Sequence, residues 1–312
     1  MTAPSDAAPS APAPDRHREG LAWAFGGVLL FSLSLPMTKV AVRGFDPFLT
    51  ATGRAVIAGL MAAVFLAVRR VPFPPRHLLR PIVYTMLGAV FGWPILLALA
   101  LQRTTSAHAA VIAAFMPLMT AILAVLRTHE RVGRQFWFAA GTGTAALVVF
   151  AVARGGGTGA DLVADLLVVG AVVASSWCYV EGASISGVLP GWQVISWVVV
   201  LALPVTLPAS AVIWWLTRNS YAPGGWEWLS LVGLGASSMY LAFFAWYRGL
   251  NLAGIARGGQ VQQLQALLTL VWSALFLGET VTVTAVLAAG AVIASIVWAQ
   301  KGRQVTVVAP EE

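Results

Sequence analysis

The residues of this chain that could do chemistry lie inside long apolar stretches, where polar groups are costly and tend to be functional. The run Ser175–Glu181 contains Trp177, Tyr179 and Glu181, of which Trp177 and Glu181 share one helix face. Glu181 is the only acidic residue well inside such a stretch. It either couples proton movement or anchors a cationic group, or it is a static carboxylate paired with a basic helix end such as Arg257.

Amide side chains are unusually dense between residues 258 and 265. Gln260 and Gln263 share one helix face, whereas Gln262 and Gln265 share another, so one partner cannot satisfy all four. A single glutamine of this kind often joins two helices through a hydrogen bond. The whole cluster, however, predicts a polar cavity.

Proline interrupts several of the apolar stretches, and each proline lacks the backbone N–H that a helix uses. Such breaks often flank a binding site, although packing alone explains many of them. Aromatic and methionine side chains offer flat or soft walls to an apolar ligand. Substrate contacts are predicted for Met37, Trp93, Trp177, Tyr179, Glu181, Tyr240, Gln260 and Gln263, and gating or kinking for Pro36, Pro94 and Pro117.

Two further polar residues, Arg54 and His108, lie toward one end of their stretches. Arg54 is either a partner for a carboxylate or a side chain that extends outward to the interface. His108 is most simply a polar residue near the same interface. The sequence leaves both readings of Arg54 open.

The elements that position these residues are membrane-spanning helices. Hydrophobic residues make up 59% of the 312-residue chain and charged residues 10%, whereas a soluble domain carries about 25% charge. About 20 apolar residues cross a bilayer, which predicts ten spans. They are spans 1 to 10, at residues 20–42, 47–68, 79–101, 104–126, 135–153, 163–187, 191–217, 226–249, 255–277 and 282–299.

The basic residues orient these spans. Most of the 19 lysine and arginine residues fall in segments on the same side as the N-terminus, and such segments are usually cytoplasmic. We therefore predict a multi-pass inner-membrane protein with both termini in the cytoplasm. The net charge of +7 then reflects topology and anionic headgroups rather than nucleic-acid binding.

The second half of the chain repeats the first. A shifted alignment sets Glu130 on Glu279 and Ala139–Gly141 on Ala288–Gly290. Because each copy holds an odd number of spans, the second copy must insert upside down. Inverted repeats of this kind are typical of secondary transporters, which hold their substrate between the copies.

Signatures of enzymes and cofactors are missing from the sequence. The run Gly155–Gly159 lacks the Lys-Ser/Thr ending of a phosphate loop, and the single cysteine, Cys178, cannot build a metal cage. Asp161 and Asp165 would suit a magnesium diphosphate in an intramembrane transferase, but a second aspartate pair is absent. Acidic residues are also favoured at a helix N-terminus. We predict no enzyme, catalytic residue, cofactor or metal.

Two five-helix units whose fourth spans lead into a glutamate resemble the EamA repeats of the drug/metabolite transporter superfamily. The runs are Ala124–Glu130 and Ser273–Glu279, of which the second has the Leu-Gly-Glu form. Over residues 20–299 the chain is most similar to the YddG-type amino-acid exporters. The resemblance implies a central cavity contributed by both repeats and efflux of aromatic or other neutral amino acids. The chain departs from the family pattern at two places. Ala266 stands where the fourth span of a repeat typically has a proline, and the first repeat has Arg127–Glu130 in place of Leu-Gly-Glu.

The sequence as a whole predicts an all-α integral membrane protein of ten transmembrane helices, arranged as two inverted-topology five-helix EamA repeats around a central cavity. It would export small metabolites by alternating access. The alternatives are a carrier for a nucleotide sugar, a sugar phosphate or a drug-like cation, and an intramembrane transferase. The expected partners are a small-molecule substrate, such as an amino acid, and the lipid bilayer, with no nucleic acid, and the chain is expected to be monomeric.

Domain boundaries follow from the same reading. An Ala/Pro/Ser-rich start has too little apolar surface to fold alone. The predicted units are a disordered cytoplasmic tail at 1–15, a first repeat at 16–154, a linker at 155–161, a second repeat at 162–300 and a cytoplasmic tail at 301–312.

Overall fold

The regular elements of the described residues are all helices. The computed structural model describes residues 14–128, 161–185, 188–253 and 261–301, and also residues 134, 137–139, 141–143, 145–146 and 149. The predicted linker apart from Asp161, most of both predicted tails, and Glu130, Arg257 and Gln260 lie outside the described residues.

The first half of the chain forms spans 1 to 4, and the second half forms spans 6 to 10. Span 1 consists of Pro14–Ser32 and Ser34–Gly44, span 2 of Pro47–Val68, span 3 of Arg76–Met86, Leu87–Gly92 and Trp93–Arg103, and span 4 of Ser106–Ala113 and Met116–Thr128. Span 6 consists of Leu162–Ile185, span 7 of Gly191–Thr217, span 8 of Gly225–Gly233, Leu234–Leu241 and Ala242–Ala253, span 9 of Leu264–Leu277, and span 10 of Val283–Lys301.

These helices make the chain a multi-pass membrane protein. Seven helices within the described ranges are long and apolar enough to cross a membrane, and the shorter apolar helices Leu264–Leu277 and Val283–Ser295 follow them. The predicted fifth span, at residues 135–153, lies largely outside the described residues. The count of ten spans therefore stays a prediction.

The most extensive helix contacts join the two halves of the chain. Span 1 packs along span 8, span 2 along span 7, and span 3 along span 6, while span 4 contacts spans 6 and 9. The two largest clusters of buried apolar side chains accordingly draw residues from both halves. The centre of the molecule is thus an interface between halves.

Two spans contain a π-helical segment at mid-length, Leu87–Gly92 in span 3 and Leu234–Leu241 in span 8. Such segments are rare and occur frequently at functional sites. Gly92 lets span 3 approach span 6 closely, because a Cβ atom there would lie 2.5 Å from the Cβ of Ala174. Span 3 therefore packs tightly on span 6 here, and the break before Pro94 takes the form of a π-helix.

The break in span 1 is stabilised by span 9. Pro36 has no N–H, so it leaves the carbonyl of Ser32, four residues earlier, without its helical donor. Thr269 Oγ1 donates to that carbonyl at 2.9 Å, and Trp272 Nε1 donates to Ser32 Oγ at 2.9 Å. The proline break thus joins spans of different halves.

Candidate functional site

A cavity lies between the two halves, and we call it the central cavity. Spans 1 to 4 and 6 to 9 all contribute to its wall. It is lined by Phe31, Ser34, Arg54, Ala89, Trp93, Met116, Ser175, Cys178, Tyr179, Ile195, Ser238, Met239, Phe243 and Gln265.

Aromatic rings form much of the central cavity's apolar wall. Phe31 and Phe243 meet edge to face, with ring centroids 4.9 Å apart. Trp93 begins the helix that follows the π-helical segment of span 3, so the π-helix sets its direction. Tyr179 lies one helical turn after Ser175 on span 6, and both side chains line the cavity. The wall therefore combines flat apolar faces with a few polar groups.

Arg54 is the only charged residue among those that line the central cavity. It is 4% exposed, and its Nη2 donates to Ser238 Oγ at 2.7 Å. Its Nε and Nη1 atoms are buried with no hydrogen-bond partner in the described part of the chain. The hydroxyl of Ser34, in the same wall, likewise lacks a partner there. The cavity thus holds unsatisfied hydrogen-bonding capacity and a positive charge.

A second cavity adjoins the central cavity, with which it shares Met116 and Gln265. Gln262 and Gln263 also line it, as does Pro117 beside the break of span 4. The Nε2 atom of Gln263 is buried and has no hydrogen-bond partner within the described ranges. Gln262, Gln263 and Gln265 therefore line cavities, as the clustering of glutamines predicted, and they lie on two faces of the segment.

Trp177 and Glu181 lie on the face of span 6 that points away from the central cavity. Ser175 and Tyr179 line that cavity, and a helix turns by about 100° per residue, so the residue two positions after each of them points to the other side. Glu181 is 3% exposed and accepts a hydrogen bond from Arg127 Nε at 3.1 Å. The observed partner is therefore Arg127.

Tyr240 and Met37 are not among the residues that line the two cavities. The hydroxyl of Tyr240 lies 3.0 Å from Ser196 Oγ of span 7, although its neighbours Ser238 and Met239 line the central cavity. Met37 packs beside Gly233, where an added Cβ atom would lie 3.2 Å from the Met37 sulfur.

Pro94 follows Trp93 in the first turn of the helix Trp93–Arg103, a position that tolerates proline.

A separate polar cluster lies at the face that the sequence predicts to be outer. Its core is Glu279, whose carboxylate accepts hydrogen bonds from the backbone N–H groups of Ser106 and Ala107 at 3.0 and 2.9 Å, and from Ser106 Oγ at 2.8 Å. Glu279 follows Gly278, which adopts φ +63° and ends span 9 in a left-handed turn. The Leu-Gly-Glu run thus caps span 4 from span 9.

Two further contacts complete this cluster. Lys39 Nζ donates to the carbonyls of Leu101 and Thr104, both at 2.6 Å, at the end of span 3. His108 Nε2 lies 2.6 Å from Asp165 Oδ1, joining span 4 to span 6. We call Lys39, Ser106, His108, Asp165 and Glu279 the outer polar network.

The sequence singled out some cavity residues and missed others. Trp93, Tyr179 and Gln263 were predicted and line a cavity, and Arg54 was noted with two open readings. Phe31, Ser34 and Phe243 carried no distinctive signal, because apolar and small hydroxyl residues occur throughout the spans. Their positions depend on how the spans pack, which local sequence does not show.

Comparison with known proteins gives consistent results. The EamA-like transporter family matches the chain twice, over residues 18–152 and 162–299. The uncharacterized transporter YdeK of Bacillus subtilis is 41% identical over 258 residues, which cover 82% of this chain and 88% of that protein. The aromatic amino acid exporter YddG of Ancylobacter novellus is 28% identical over 235 residues, covering 73% of this chain and 78% of the exporter. A crystal structure aligns with a TM-score of 0.64 at 21% identity, covering 90% of this chain and 97% of that one, and supports the fold alone.

Proposed function

Because the chain belongs to the EamA-like transporter family, we propose that it is a secondary transporter that exports small metabolites, with aromatic and other neutral amino acids as its main substrates. The observation that carries the proposal is the central cavity, to which both halves contribute and whose wall includes the aromatic side chains of Phe31, Trp93, Tyr179 and Phe243. Flat apolar walls with few polar groups suit an amino acid with an apolar side chain. A relative of this chain, YddG, is named an aromatic amino acid exporter, which supports the same substrate class.

Transport would proceed by alternating access between two inverted repeats. The helix contacts support this arrangement, because they are those that a two-fold relation between the halves would give. A two-fold relation would exchange span 1 with span 6, span 2 with span 7 and span 3 with span 8. The contact between spans 1 and 8 then corresponds to the contact between spans 6 and 3, and span 2 packs on its own counterpart, span 7. In such transporters the repeats rock around a fixed central site.

The lining of the central cavity disfavours the other carriers. A drug-like cation would face Arg54, with no acidic residue among the residues described in this wall. A sugar phosphate or nucleotide sugar would need several cationic groups for its charge, and Arg54 is the one cation among the described residues of this wall. A transferase would need a metal-binding cluster, and the described residues hold no group of three or more metal-ligating side chains.

Counterflow in proteoliposomes tests the transport function. Vesicles preloaded with unlabelled L-tryptophan, L-phenylalanine or L-leucine should accumulate the labelled compound transiently, and protein-free vesicles should not. Absence of counterflow for all neutral amino acids, with folded protein present, would reject the substrate class.

We also propose an inner-membrane location with both termini in the cytoplasm, which rests on the positions of the basic residues. In a Cys178→Ser background, Ser220→Cys should react in intact cells with an impermeant thiol reagent, and Arg76→Cys should not. Labelling of the cysteine at position 76 in intact cells would overturn this orientation.

A further inference from the structure

The position of Arg54 in the protein is set by helix packing. It lies about 12 Å along span 2 from the N-cap residue Asp46. Span 8 approaches this turn so closely that a Cβ atom on Gly235 would lie 2.8 Å from the Arg54 carbonyl oxygen. Ser238, on the same π-helical segment, then accepts the hydrogen bond from Nη2. The guanidinium is thereby held in the wall of the central cavity rather than extended to the interface.

The guanidinium retains hydrogen-bonding capacity that the surrounding described residues do not use. Its Nε and Nη1 atoms and the Ser34 hydroxyl are buried without partners in the described part of the chain, and all these groups belong to the wall of one cavity. A buried arginine without a carboxylate is costly, because its charge loses water and gains no counter-charge. A group retained at such a cost is explained by a ligand that completes its hydrogen bonds.

We propose that Arg54 and Ser34 form a subsite that binds the carboxylate of the transported substrate, and that Ser238 positions the guanidinium. Planar guanidinium and carboxylate groups match in shape and form charge-assisted hydrogen bonds. One positive charge suits one carboxylate, and the aromatic walls of Phe31, Trp93 and Phe243 would hold the side chain. This inference rests on the proposed transport function and adds that the substrates carry a carboxylate.

A matched ligand series on the purified full-length protein tests the subsite. Thermal unfolding is followed with increasing L-tryptophan, L-tryptophanamide or tryptamine, and then with the other amino acids and their amides. Because a carboxylate forms stronger charge-assisted hydrogen bonds with a guanidinium than an amide does, the acid should stabilise the wild type at concentrations about tenfold lower, or lower still, than its amide. Arg54→Gln should erase this difference, and Arg54→Lys should retain only part of it.

The control variant is Arg103→Gln. Arg103 is also an arginine near the predicted outer face, but it is exposed and already paired with Asp161 at 3.0 Å. This variant should keep the full preference for the acid over the amide. The ligand-free unfolding temperature supplies a second readout. Arg54→Gln and Arg54→Met should unfold at or above the wild-type temperature, because they remove an unpartnered buried charge.

Three results would overturn the subsite. The first is equal binding of acids and amides by the wild type, or binding of no acid at all. The second is an acid preference that persists in Arg54→Gln, and the third is a marked loss of ligand-free stability in both Arg54→Gln and Arg54→Met. Counterflow of an amine or a neutral metabolite alongside the first result would leave transport standing and reject only the carboxylate subsite.

Discussion

The outer polar network and the central cavity contain similar polar groups in opposite situations. In the network, the Glu279 carboxylate accepts three hydrogen bonds from the start of span 4, and Lys39 donates to two carbonyls. In the cavity, two guanidinium nitrogens of Arg54 and the Ser34 hydroxyl lack partners within the described residues. The first set is satisfied by the protein itself, and the second is not.

This difference separates structural groups from binding groups. A buried polar atom without a partner costs about 1–3 kcal/mol, so stability alone does not explain its presence. The network's bonds instead stabilise helix ends, since Glu279 caps a helix N-terminus and Lys39 a helix C-terminus. We therefore expect mutations in the network to change stability and mutations in the cavity to change transport.

The largest effect is expected from removing the Glu279 carboxylate. Glu279→Ala should destabilise the protein by roughly 2 kcal/mol, because two backbone N–H groups and a hydroxyl lose a charged acceptor. Thermal unfolding in detergent measures the effect, and Glu279→Gln should fall between the alanine variant and the wild type. Wild-type stability of Glu279→Ala would show that the network does not hold span 4.

Two tryptophans sharpen the contrast, because Trp93 lies in the cavity wall and Trp177 does not. Trp93→Ala should lower counterflow per folded molecule by about tenfold, roughly 1.4 kcal/mol of lost interaction, because it removes an aromatic wall. Trp177→Ala, on the far face of span 6, should stay within about twofold of the wild type. Equal losses in the two variants would contradict the assignment of the cavity wall.

Glu181 resembles the groups of the outer polar network, because its carboxylate accepts a hydrogen bond from a protein group, Arg127, and faces away from the cavity. Glu181→Gln should lower the yield of folded protein modestly, since the bond to Arg127 loses its charge. Transport per molecule and its stimulation by an imposed pH gradient should not change. Loss of that stimulation in reconstituted vesicles would instead identify Glu181 as a proton-coupling carboxylate.

The smallest effect is expected at the exposed pair of Arg103 and Asp161. The hydrogen bond from Arg103 lowers the pKa of the Asp161 carboxyl, so any stabilisation exists above the carboxyl's unfolded pKa and is lost as the pH falls through the lowered folded value. Because exposed pairs are screened by water, Arg103→Gln should unfold within error of the wild type at pH 7. A clear loss of stability would extend the structural network to this surface pair.

Much of the fold could be predicted from the sequence, because hydropathy and helix length act locally. The described spans agree with the apolar stretches, and the prolines of spans 1, 3 and 4 lie at or beside real helix breaks. Whether a break becomes a kink or a π-helix depends on the neighbouring span, as Gly92 against Ala174 shows. The sequence could not specify that form.

The site was less predictable, because its residues are brought together by packing between the halves. Arg54 and Ser238 are 184 positions apart in the chain, and no local pattern links them. The spacing of Trp177 and Glu181 places them on one helix face, but it does not show whether that face points toward the cavity. Arg54 was left with two readings because its depth depends on the close approach of Gly235.

The most direct test of the account is an experimental structure of the protein with a transported amino acid bound. We expect the ligand in the central cavity, with its carboxylate within about 3 Å of Nε or Nη1 of Arg54 and its side chain between Trp93 and Phe243. A transported amino acid bound elsewhere, or an Arg54 guanidinium satisfied by protein groups in that structure, would contradict the account.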